Sequence, residues 1–118
     1  MNPALAPTNR RYPTIGELLH RFALEAPVRS PDGAGGATRS FALITEVWGD
    51  LRALGGYEHL DADRLGGRVT HAIWLRYRDG LTPDLRLRLG NRVFEIRAIL
   101  NHDGRQRFLE CHCEEFIT

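Results

Sequence analysis

Thr70–Glu95 reads T-H-A-I-W-L-R-Y-R-D-G-L-T-P-D-L-R-L-R-L-G-N-R-V-F-E. Side chains alternate along a strand. Val69, His71, Ile73, Leu75 and Tyr77 therefore fall on one face, and Thr70, Ala72, Trp74, Arg76 and Arg78 on the other. Arg78–Asp84 carries Asp-Gly and a proline, residues that set the backbone angles of a turn. Leu85, Leu87 and Leu89 then alternate with Arg86 and Arg88, the clearest period of two in the chain. Gly90–Asn91 has the composition of a two-residue hairpin turn. The stretch is predicted to be three short strands joined by two turns.

The pattern continues downstream. Val93–Leu100 is predicted as a strand, Asn101–Gly104 (N-H-D-G) as another hairpin turn and Arg105–Glu114 as the last strand. Upstream, Phe41–Leu54 is rich in β-branched and apolar residues and is expected to form a strand kinked at Gly49. Trp48 fits either a core or a subunit contact. Leu18–Val28 allows two readings. Leu18, His20, Phe22, Leu24 and Ala26 alternate as on an edge strand, while Leu18, Leu19 and Phe22 fit a helix that Thr14 and Glu17 would open with a capping box. The strand is preferred because Pro27 and the Gly-rich Ser30–Ser40 loop end it abruptly.

Gly55–Gly67 is bracketed by glycine pairs and fits a long loop or a short helix. Met1–Pro13 holds three prolines and little apolar material, which suits an extended arm. The expected fold is therefore all-β: a small antiparallel β-barrel built from a meander of short hairpins. The loop or short helix lies at 55–67 and the arm at 1–17, with one barrel domain over 18–118. A chain of 118 residues supports one core, not two.

All 16 basic residues are arginine. A GC-rich genome accounts for that, and arginine also forms planar bidentate contacts and buries better than lysine. Between Arg68 and Arg107 nine arginines face four acids, a local excess of +5, whereas the end of the chain carries Glu110, Glu114 and Glu115. Such a segment suits a polyanion or acidic neighbours in an assembly. No apolar run approaches the ~20 residues of a membrane span, and Met1–Arg11 lacks the apolar core of a signal peptide. A cytoplasmic protein, or one assembled there, is expected.

Cys111 and Cys113 flank His112. Spaced by two, they share a strand face, and no second ligand pair completes a zinc site. They are read as small core side chains. No P-loop, H-E-x-x-H or G-x-S-x-G motif occurs, and no residues fill the roles of an active site. Neither an enzyme nor a cofactor or metal is expected.

Taken together, T-H-x-I-x-L-R-Y-R, D-G-L-T-P-D, L-x-L-G-N-R-V-F-E-I and I-L-N-x-D-x-R-x-R-x-L-E-C resemble the head-tail joining family of tailed bacteriophages, the head-closure or stopper proteins. The resemblance rests on Thr70, His71, Ile73, Arg76, Tyr77, Arg78, Gly80, Thr82, Pro83, Gly90, Arg92, Phe94, Ile96, Ile99, Asn101, Asp103, Arg107, Leu109 and Cys111, with Trp48 upstream. It implies a β-barrel connector that forms a homo-oligomeric ring at the head-tail interface of a phage or gene transfer agent. A portal-adaptor protein would lie on the head side and a tail terminator or tail tube protein on the tail side, with double-stranded DNA in the channel.

The resemblance implies a channel or gating role for the 55–67 loop, with Tyr57, Glu58, His59, Asp61, Asp63 and Arg64 as candidates. Trp48, Trp74, Arg76, Arg78, Arg86 and Arg88 are candidates for subunit contacts or for facing DNA. Subunit contacts are preferred, since a channel that passes DNA should not grip it. The alternative reading is an OB-like nucleic-acid-binding barrel, in which Trp74 beside Arg76 and Arg78 would stack bases.

Overall fold

The computed structural model describes residues 12–31, 37–55, 69–101 and 107–117. Six strands form a closed barrel: β1 His20–Pro31, β2 Ala37–Ala53, β3 His71–Arg76, β4 Arg86–Leu89, β5 Arg92–Leu100 and β6 Phe108–Ile117. The order around the barrel is β1-β2-β3-β6-β5-β4, and β4 returns to pair with β1. All pairs are antiparallel. The all-β barrel expectation holds.

One step of the expected meander differs. β3 and β4 are not neighbours, because β3 pairs with β6 along His71–Arg76. Arg78–Asp84 is thus a crossover rather than a hairpin turn. Two physical reasons are visible. The ten residues of β6 cover the whole edge of β3, which four-residue β4 would leave partly unpaired. Charge also draws β4 to β1: Glu25 lies opposite Arg86, whose Nε donates to its Oε1 at 2.7 Å, and Arg88 Nε lies 3.4 Å from its Oε2. The crossover turns at Gly80 (φ 83°), and its Leu81 packs against the core. The Gly90–Asn91 turn forms as expected, with φ 65° at Gly90.

Phe22, Leu24, Ile73, Leu75, Leu87, Phe94, Ile96, Cys111 and Cys113 fill the interior. The Phe22 and Phe94 rings meet edge to face at 5.9 Å. Both cysteines are fully buried, as their spacing suggested, and burial pushes the Cys111 thiol up to about 12. Gly49 does not kink β2. It points inward, where an added Cβ would lie 2.9 Å from both Leu75 Cδ2 and Phe22 Cε2. Only a glycine lets these two side chains close over the strand. The irregularity lies elsewhere: Leu24 pairs with Thr45 and Glu25 with Leu43, so Ile44 is the extra residue of a bulge.

The strand reading of Leu18–Val28 holds from His20 onward. The Thr14–Glu17 box is real but starts only the single 3-10 turn Ile15–Glu17, with Thr14 N donating to Glu17 Oε1 at 2.9 Å. Strand pairing also runs further than expected into the Gly-rich segment, with Pro31 opposite Ala37. β1 and β2 therefore run on past the rest of the barrel as a two-stranded arm. β4 covers only Ala23–Glu25 of β1, and β3 covers only Gly49–Ala53 of β2. Most of the 55–67 loop and of the N-H-D-G turn lie outside the described residues.

Candidate docking surface

Alternation places Trp74 outside the barrel, since Ile73 and Leu75 point in. Trp74 is nonetheless fully buried. Tyr12 covers it edge to face at 5.4 Å, and the Arg52 guanidinium lies 5.2 Å from the ring centroid. Its neighbours across β6 are buried as well. Glu110 stands opposite Trp74 and His112 opposite Ala72, and His112 Nε2 lies 3.1 Å from Glu110 Oε2. The β3–β6 wall is therefore buried on both faces, and Tyr12 lies over its outside at Trp74. Trp74 has no open ring face for stacking a base, so the support it lent to an OB-like reading is gone.

A second polar group closes one end of the barrel. Inward positions at the starts of β3 and β5 and the end of β6 carry His71, Arg92 and Glu115. Arg92 donates to Glu115 through Nε (2.5 Å to Oε2) and Nη2 (3.1 Å to Oε1). These charge-assisted bonds hold the Glu115 carboxyl below its ordinary range. The His71 ring stacks edge to face on Phe94 at 5.3 Å, with Nδ1 2.9 Å from Thr70 Oγ1. Burial lowers its basicity, opposed by Glu115 at 3.6 Å and aided by Arg92. Thr70 Oγ1 also accepts a hydrogen bond from Glu115 N at 2.9 Å. All of these groups are used in fixing the strand ends. Sequence reasoning missed them because each sits at or near the end of its strand, where polar residues are ordinary.

Of the arginines singled out, Arg86 and Arg88 are drawn to Glu25 within the chain. Arg86 additionally lies 3.8 Å over the Phe41 ring, tying β4 to the root of the β1–β2 arm. Arg76 is exposed and Arg78 half-buried. Trp48 is 53% exposed, and the Arg21 guanidinium lies 5.9 Å from its ring. The structure brings Trp48 and Arg76 together. With Ile15, Gly16, Leu18 and Leu19 they line a surface recess of about 440 Å³. A second recess of about 360 Å³ adjoins it, sharing Ile15 and Arg76 and adding Pro13, Thr14, Arg107 and Phe108. Exposed aromatic and aliphatic side chains rimmed by arginine are the composition of a protein–protein contact. Tyr57, Glu58, His59, Asp61, Asp63 and Arg64 lie outside the described residues.

Among the described residues, side chains fill the interior of the closed barrel, and the exposed chemistry lies on its outside. The model of the phage head completion protein family matches residues 13–115, and the chain belongs to that family. A chain in the virion of a native gene transfer agent particle is 30% identical over 84% of this chain and 96% of its own, with a TM-score of 0.60. The solution structure of protein SF1141 from Shigella flexneri 2a shares the fold at 22% identity, covering 86% of this chain and 95% of its own, with a TM-score of 0.69. No curated protein matches the chain.

Proposed function

We propose that this protein is the head-closure connector of a tailed phage or phage-like particle. In this reading copies assemble in the bacterial cytoplasm into a ring between the portal-adaptor and the tail. The ring retains packaged double-stranded DNA and offers the platform on which the tail terminator or tail tube docks. The observation that carries it is the family match over residues 13–115, which takes in β1–β5 and all but the last two residues of β6. The 30% identical chain of a gene transfer agent virion supports the same setting.

The geometry supports assembly through the outer surface. Among the described residues, the Trp48–Arg76 recess, the β1–β2 arm and the exposed Phe116 and Ile117 offer apolar surface to neighbours, and Arg76 and Arg78 remain candidates for contacts to them. Arg86 and Arg88 act inside the subunit in this reading. The 55–67 loop is proposed to reach the channel, with its glycines as hinges.

Deletion of the gene tests the proposal. Particles lacking the protein are expected to package DNA, then lose it, and to remain tailless by electron microscopy. Tailed, DNA-filled particles from the deletion strain would overturn it.

A further inference from the structure

The two long edges of the β1–β2 arm are chemically unlike. β1 pairs with β4 along Ala23–Glu25, and alternation with Pro27, which has no N–H to give the β2 ladder, turns the backbone of Ala23 and Glu25 toward β4. By alternation, positions 27, 29 and 31 turn theirs the same way, beyond the reach of β4. Two of those three are Pro27 and Pro31, which have no N–H to offer. That edge is blunted against further pairing. The opposite edge belongs to β2. Phe41 lies across from Pro27, so the backbone of Arg39, Phe41 and Leu43 faces away from β1. No proline occurs between Ala37 and Trp48, β3 reaches only Gly49–Ala53, and Leu43 is 60% exposed. A regular edge thus runs from Ala37 to Leu43, up to the bulge at Ile44, ready to accept an extended strand.

The chain itself contains a segment suited to that edge. Residues Met1–Arg11 precede the described structure, with Pro3 and Pro7 four apart, the spacing of Pro27 and Pro31. In a strand both prolines fall on one edge, leaving Asn2, Ala4, Ala6 and Thr8 with unbroken N–H groups on the other. Length is sufficient: 11 residues reach up to ~36 Å, and the seven-residue edge takes ~23 Å. The direction of the chain selects the donor. Leu18 and Leu19 lie beside Trp48 of β2, whereas Pro13–Ile15 lie beside Arg107 and Phe108 at the start of β6. Traced back to Tyr12, the described chain therefore runs toward β6 and Trp74, away from its own β2 edge. We infer that the Met1–Arg11 arm of a neighbouring copy adds as a strand to the Ala37–Leu43 edge. The inference deepens the ring reading and rests on it, since a head-to-tail contact of this kind repeats around a closed ring.

Two measurements on the full-length protein test this. First, a synthetic Met1–Arg11 peptide is titrated into the isotope-labelled protein. Amide shifts centred on Arg39, Phe41 and Leu43 are expected. Leu43→Pro should weaken binding about tenfold or more, because it removes an edge N–H without touching the β1 ladder, whereas Leu43→Ala should not. Absence of shifts, or shifts elsewhere, would overturn the inference. Second, an Ala4→Cys copy is mixed with an isotope-labelled Leu43→Cys copy and oxidised; the buried Cys111 and Cys113 stay unreactive. A disulfide joining labelled to unlabelled chain supports exchange between copies. A cross-link found only within an Ala4→Cys/Leu43→Cys double variant would overturn it. Rings that persist with Leu43→Pro leave the ring reading standing without this contact. Edge binding of the peptide by a protein that never forms rings would leave the arm contact and remove the ring.

Discussion

The β3–β6 wall and the β1–β2 arm are both antiparallel sheet, yet their surroundings are opposite. In the wall, Ile73, Leu75, Cys111 and Cys113 are buried on the inside, and Trp74, Glu110 and His112 on the outside. In the arm, Val28, Leu43 and Ile44 are each more than 40% exposed, and one long edge of each strand meets no other strand among the described residues. The same secondary structure therefore serves two purposes: the wall supplies stability, and the arm supplies surface. Substitutions should divide along that line.

The largest loss is expected in the core. Phe94→Ala removes a fully buried ring that meets both Phe22 and His71, and should cost about 3–5 kcal/mol in chemical denaturation. A cost below 1 kcal/mol would show that the interior is not the continuous core described. Removing Glu110 from the outer side of the wall should come next. Glu110→Ala leaves the buried His112 ring without its carboxylate partner, for about 1–3 kcal/mol. A near-neutral result would reduce the wall to an ordinary one-sided sheet. Gly49→Val forces new methyl groups against Leu75, Phe22 and Ile73 and should cost about 1–3 kcal/mol.

These positions also mark what the sequence made legible. The strands of Thr70–Glu95 were readable because leucines and arginines alternate there and Gly90–Asn91 has the composition of a tight turn. Cys111 and Cys113 were placed in the core because they share a strand face and no second ligand pair completes a zinc site. The β3–β6 pairing was not readable, since it depends on which distant edge matches in length and charge, and Glu25 meets Arg86 from 61 residues away. Nor was the burial of Trp74, Glu110 and His112. A period of two assigns such residues to a solvent face, and alternation does not show that Tyr12 and Arg52 lie across that face against Trp74. The β1–β2 arm was hidden for a different reason: glycines and Pro31 suggested a loop, although an edge strand tolerates proline whose missing N–H points outward.

A smaller effect is expected from pH, at the end of the barrel that the wall and β5 share. Burial holds the folded His71 below its ordinary pKa, so the unfolded chain binds more protons as pH falls through about 6.5. Stability should decline below that point. The lowered Glu115 acts in the same direction at lower pH, since its contribution is complete above the ordinary carboxylate pKa and is lost as pH falls through the folded value. His71→Gln should flatten the upper part of the decline in melting temperature between pH 7 and 5. An unchanged slope would show that His71 does not carry it.

The smallest effect on stability should accompany a marked effect on assembly. Trp48→Ser removes a ring that is 53% exposed and packs on one side only, against Ile15–Leu19 and Arg21. Surface changes of this kind usually stay within about 0.5 kcal/mol, with some additional loss for the half of the ring that is covered. A contact hot spot of tryptophan beside arginine commonly contributes 2 kcal/mol or more, about thirtyfold in affinity. If the recess meets a neighbour, Trp48→Ser should fold with a melting temperature near the parent's and yet fail to join particles, as measured by incorporation into virions. A variant that unfolds would place Trp48 with the wall as a structural residue. A variant that folds and is incorporated normally would move the docking role from the recess to the arm alone. Arg76→Ala sharpens the choice, because Arg76 is exposed and lines both recesses. Its loss should lower incorporation in the same direction as Trp48→Ser while leaving the barrel untouched.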